Sequence, residues 1–267
     1  MPWVLALLCI LGIRCDFLNP GKTDNPRTTI EELAASDDPT KALLPGLRRL
    51  FASALSATVL TTEYVSDNVA STDVVHPDYP RDIRSTSFLI GGDGEGTDIY
   101  WNLQELRGLC DFVLDEVAPA YAGAEDLDLA EAHYYRGMAY LILGENFVAV
   151  PTGVDEIPVK SRQLLERAVA DLVEGRRLGF VVPSTAALAR ASRASGNADA
   201  AAQFANEALV AGGTDFLFFQ EFDRTSIRNE VAWHLAIQLQ TMQPLPPTGL
   251  PGPEVFRRGA RYSCIEG

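Results

Sequence analysis

Two alanine-rich segments, ALARAS and ADAAAQFANEAL, flank the short break SGNAD near residue 195. Alanine is the strongest helix former, and its small side chain lets two helix axes approach closely. A break of Gly, Asn and Asp between two such segments leaves an antiparallel helical hairpin as the simplest solution. The spacing predicts helices over 185–195 and 198–211, with Ala187, Ala191, Ala201 and Ala205 at their contact. The pair Gly212-Gly213 closes the second helix, where a left-handed residue is commonly needed.

Helical periodicity recurs upstream. From Pro45 to about Val69, Leu47, Leu50, Phe51, Leu55 and Val59 fall near a 3.6-residue repeat. From Ile99, the segment IYWNLQELRGLCDFVLDEVAP aligns Leu103, Leu106, Leu109, Cys110, Val113, Leu114 and Val117, and Pro119 marks its end. DLDLAEAHYYRGMAYLILGENF alternates small and aromatic residues at Ala132, Tyr135, Gly137 and Tyr140. SRQLLERAVADLVEGRRLGF is apolar at 164, 165, 168, 169 and 172. No run of alternating β-branched residues competes with these patterns, so the fold class is all-α. Pairing 130–147 with 161–178, and 185–195 with 198–211, suggests tetratricopeptide-like helical hairpins joined by irregular loops.

The formal net charge of −14 argues against a nucleic-acid partner, because phosphate binding depends on clustered Lys and Arg. GGDGEGTD has no GK[ST] ending for a phosphate loop and lacks an EF-hand's terminal Glu, so it reads as a connection. His76, His133 and His234 have no carboxylate or cysteine at a spacing that suggests a triad or a metal site. No G-x-S-x-G elbow is present. The acids Asp115-Glu116 and Glu125-Asp126 read as solvated. No catalysis, cofactor or metal is expected. Most aromatic residues, FLFFQEF at 216–222 included, read as core. Tyr100, Trp101, Trp233 and the loop residue Tyr79 remain candidates for contact with a ligand or partner.

The apolar run from Trp3 to Ile13 is shorter than the ~20 residues that cross a bilayer, and no second segment approaches that length. It suits the apolar stretch of a secretory signal over residues 1–14. Cys15 then begins the mature chain as a lipid anchor, and residues 15–40 form a polar leader. A helical repeat domain follows over 41–243, with a Pro/Gly-rich tail over 244–267. Cys110 and Cys264 are open either to pairing in an oxidising compartment or to remaining free.

The order of these parts resembles the SusD/RagB family of outer-membrane nutrient-binding lipoproteins. The resemblance rests on CDFLNP, on TTEYVSDN, and on IYWNLQELRGLCDFVLDEV, which is similar to (I/L)Y-x-x-(L/I)-x-x-A/L-x-x-x-x-D. It rests most on AEAHYYRGMAYLILGENFVAVP, similar to AEA-x-x-x-R-A-x-x-Y-x-x-L-x-x-x-x-G-x-x-P, followed by ALARASRASGNADAAAQFANEAL. It spans roughly residues 11 to 215, and the chain lacks much of the irregular lobe that lengthens such proteins. It implies a non-enzymatic protein, lipid-anchored at the outer membrane through Cys15. Such a protein captures an oligosaccharide or peptide for a TonB-dependent SusC-like transporter. The other reading of the same hairpins is a periplasmic tetratricopeptide scaffold that binds protein partners.

Overall fold

The computed structural model describes residues 32–33, 35–65, 69–71, 95–153, 155–213, 216–222, 229–232 and 242–244. These residues are mostly helical, as the periodicity predicts. Helix α1 spans Pro39–Val65. It begins six residues before the expected Pro45 because Asp38 and Pro39 form its start. Asp38 Oδ1 accepts the Lys41 amide at 3.1 Å, and Pro39 occupies the first helical position, where no amide proton is needed. Pro45 lies inside the helix on its exposed side, so the backbone bond it cannot make falls toward water.

Helix α2, Glu95–Asp111, starts inside GGDGEGTD rather than after it. It runs into a π-helical turn, Phe112–Val117, and a last α turn, Ala118–Ala120, that contains Pro119. Helix α3 spans Asp126–Asn146, α4 Ser161–Arg177, α5 Val181–Ala194 and α6 Ala198–Gly212. Asn197 caps α6, its side chain accepting the Ala200 amide at 3.1 Å. Two short antiparallel ribbons escaped the sequence pattern. Strand β1, Val69–Ser71, pairs with β4, Met242–Pro244, and β2, Ala149–Val150, pairs with β3, Val159–Lys160.

The core is built around α3, 13 of whose 21 residues are buried. It touches α1, α2, α4 and α5. From α1, Leu43, Leu47, Phe51 and Ala54 meet Leu103, Leu106, Cys110 and Val113 of α2 and its π turn, with the Phe51 ring 5.1 Å from that of Tyr135. The antiparallel partner α4 comes especially close. A Cβ on Gly137 would lie 2.8 Å from Leu172, and one on Gly144 would lie 3.0 Å from Leu165. Only glycine lets the two backbones sit at this distance.

Several expectations need correction. By length and composition α1 is itself apolar enough to cross a membrane, but its apolar face packs against α2 and α3. Ala187 and Ala191 are buried between α5 and its neighbours as expected, and Ala201 is half-buried. Ala205 instead faces solvent, and Phe204 takes the inward position. In FLFFQEF only Phe218 stacks into the body, 5.4 Å from Tyr134 and 5.9 Å from Phe180. Leu217 and Phe219 are 69% and 76% exposed, so the core reading fails there.

Candidate functional site: a charged groove

A groove of about 520 Å³ lies between the end of α2, α3, α4 and the 151–158 connection. Three arginines, 107, 136 and 167, and four carboxylates, at 111, 115, 156 and 171, line it. Its floor begins with Arg136 on α3. The guanidinium forks onto Asp171 of α4, with Nε donating to Oδ2 at 2.9 Å and Nη2 to Oδ1 at 2.8 Å. Planar, two-point pairing of this kind fixes orientation as well as distance. His133, one turn before Arg136, places Nδ1 2.8 Å from the same Oδ1.

The other end of Arg136 reaches α2 and its π turn. Nη1 lies 3.3 Å from Asp111 Oδ1 and 3.2 Å from Asp115 Oδ2. Arg107 donates to Asp111 Oδ2 and, at 2.8 Å, to Gln104 Oε1, while Gln104 donates to the Pro151 carbonyl at 2.7 Å. The connection is thereby hooked to α2. The charge of Arg136 is opposed by burial, but the Asp171 bonds and the neighbouring carboxylates outweigh that cost and hold its pKa above the arginine range. Burial pushes the Asp111 carboxyl up, against the pull of Arg107 and Arg136.

The opposite wall is less saturated. Arg167 of α4 lies 5.7 Å above the Tyr140 ring and donates through Nη1 to Thr152 Oγ1 at 3.1 Å. The Thr152 hydroxyl donates to Glu156 Oε2 at 2.9 Å. One hydroxyl thus bridges a cation and an anion that form no ion pair with each other. Chemically, the groove offers fixed charges of both signs and an aromatic floor.

The residues singled out from sequence fall elsewhere. Cys15, Tyr79 and Trp233 lie outside the described residues. Tyr100 is half-buried, its ring edge-on to Trp101 at 5.1 Å and to Phe147 at 5.8 Å, which makes it a packing residue between α2 and the end of α3. Trp101 is 64% exposed on α2 and does not line the groove. Cys110 is a free, buried thiol beneath the groove, with its pKa raised by that burial, and its other candidate partner, Cys264, lies outside the described residues. Among the described residues no group of three His, Cys, Asp or Glu side chains is placed to hold a metal ion.

Two readings are revised by this geometry. His133 does have a carboxylate, Asp171, but it lies 38 residues away and no local spacing announces it. Asp115 is not merely solvated, since it bonds Arg136. The signal that could have found the groove was polarity on apolar faces. Asp171 falls in phase with Leu164, Leu165, Ala168 and Leu172, and His133 and Arg136 interrupt a helix in which 13 of 21 residues are buried. No family model, no curated protein and no solved structure matches this chain.

Proposed function

We propose that this chain is a non-enzymatic nutrient-binding lipoprotein of the SusD/RagB type, acting with a TonB-dependent SusC-like outer-membrane transporter. Its α3–α4 and α5–α6 pairs are tetratricopeptide-like hairpins, and the charged groove is the place where a ligand is held. The observation that carries this reading is the meeting of the two motifs on which the resemblance rests. Arg136 and Asp111 occupy two of the three charged positions of those motifs, and they bond across the groove at 3.3 Å. Gln104 from the first motif likewise holds the carbonyl of Pro151, which ends the second. The two segments that carry the resemblance therefore meet at one polar surface in space.

A second reading, a periplasmic scaffold for protein partners, draws support from the apolar residues that α6 and its extension present to solvent. Leu209, Val210, Leu217 and Phe219 are all exposed. Affinity purification from gently solubilised membranes separates the two. The first reading expects a β-barrel transporter in the eluate, and expects Cys15→Ala to move the protein into the soluble fraction, since acyl chains supply the anchoring energy. Recovery of a soluble partner complex, with membrane retention unchanged by Cys15→Ala, would replace it with the second.

A further inference from the structure

Arg167 and Glu156 face the groove from α4 and from the connection, and each uses only part of its bonding capacity. Arg167 spends one N–H on Thr152 and meets no carboxylate among the described residues. Glu156 accepts only the Thr152 hydroxyl, through Oε2. The two side chains share the Thr152 hydroxyl but form no ion pair with each other. They stay apart, and both are exposed. The backbone helps keep them so. A Cβ on Gly153 would lie 2.7 Å from the Glu156 carboxyl carbon, so the glycine makes room for this carboxylate to lie over the chain.

We propose that this wall of the groove binds the head group of a zwitterion, an amino acid or a short peptide with free ends. This inference deepens the nutrient-binding reading and rests on it. A carboxylate suits the open fork of the Arg167 guanidinium, which presents paired donors in one plane. An ammonium suits Glu156, whose Oε1 takes no hydrogen bond. The Thr152 hydroxyl between them matches the short separation of the two charges in an amino acid. The flexible backbone of a short peptide lets both of its ends fold onto the same pair, and Asp115 across the groove, its side chain 62% exposed, adds a further anionic contact. The volume of about 520 Å³ lies within the range of small-molecule sites. A neutral oligosaccharide would leave both unpaired charges of this wall without partners of opposite sign.

The test is calorimetric titration of the full chain in detergent with triglycine, with N-acetyltriglycine amide, and with maltotriose. Triglycine is expected to bind saturably. Blocking its ends, or substituting Arg167→Met or Glu156→Gln, is expected to weaken binding roughly ten- to a hundredfold, the scale of one lost charge-assisted bond. Gly153→Ala should weaken it too, by pushing the Glu156 carboxylate aside. Circular-dichroism melts of each variant confirm that the fold is kept. Equal binding of the blocked peptide, preferential binding of maltotriose, no binding of triglycine, or binding untouched by both wall variants overturns the inference. The transporter reading is scored separately by affinity purification. A recovered channel with no zwitterion binding removes only the ligand class, and zwitterion binding with no channel removes only the transporter.

Discussion

Arg136 is the residue through which α2, α3 and α4 are joined by charge. Removing it leaves Asp171, whose side chain is 9% exposed, facing the core side of the groove without its two-point partner. Breaking a buried pair costs up to about 3–5 kcal/mol, because one charge remains desolvated, less whatever His133 Nδ1, still 2.8 Å from Asp171 Oδ1, retains. Arg136→Ala should therefore lower the denaturant midpoint strongly. Arg136→Lys should recover only part of the loss, since an ammonium cannot make the forked contact. A melt in which both variants match wild type would show the network to be solvated. Asp128 presents the opposite case. Its Oδ2 is shut away from solvent without a hydrogen-bond partner, and burial, followed by the charge of Glu125, raises its pKa while Lys41 opposes the shift. A carboxyl raised in the fold binds its proton more readily there than in the unfolded chain. Its contribution is thus favourable at low pH and is lost as pH rises from the unfolded value, about 3.9, through the folded one. Asp128→Asn should raise Tm slightly at pH 7, the gain kept small because solvent screens most of the group and the helix N-terminus favours its charged form. The gain should vanish below about pH 3.9. An equal gain at both pH values would trace the effect to something other than ionisation.

At the scale of elements, helix positions were legible wherever apolar residues recurred at 3.6 spacing, and α3, α4 and α6 follow the pattern within a few residues. What the pattern could not carry was rotation about the helix axis. In α6 alanines occur on every side, so composition alone could not tell the inward face from the outward one, and Ala205 was assigned to the wrong side. The larger Phe204 marks the true contact, beneath the Arg176 guanidinium 5.9 Å away. The π turn was equally invisible, because Val113 and Val117 keep ordinary helical spacing while the extra residue per turn is absorbed between them. This rotation can be tested directly. Ala191 is fully buried, so Ala191→Leu should overfill the contact and cost about 1–3 kcal/mol. Ala205→Leu places the same bulk in water and should leave the stability within about 0.5 kcal/mol of wild type. Equal losses in the two variants would mean that the α5–α6 rotation is wrong.

At the scale of the whole molecule, the order of elements could be read from the chain, but the groove could not, because its bonds join residues far apart in sequence. Arg136 reaches back 25 residues to Asp111 and forward 35 to Asp171, and Arg48 of α1 reaches 83 residues to Glu131 of α3. No local window contains both ends of such a pair; only the meeting of polar interruptions on apolar faces hints at them. The same long-range contacts make stability uneven along the chain. Helix α3 is enclosed by α1, α2, α4 and α5, whereas α6 has no buried residue and packs mainly on α5, with Arg176 of α4 bonded to Glu207 at 2.8 Å. Opening α6 would expose one helix face and one half-exposed ion pair, while opening α3 requires the whole core to separate. Local opening free energies scale with the apolar contacts that must be broken. Amide hydrogen exchange should therefore be slowest in the middle of α3, near the global unfolding free energy, and much faster throughout α6. Adding the partner of a scaffold to the exposed Leu209, Val210 and Phe219 surface should slow α6 selectively, whereas a zwitterion in the groove should slow α4 around Arg167 and leave α6 unchanged. Protection of α6 equal to that of α3 in the free protein would show that the outer helix is held by contacts beyond those of α5 and Arg176.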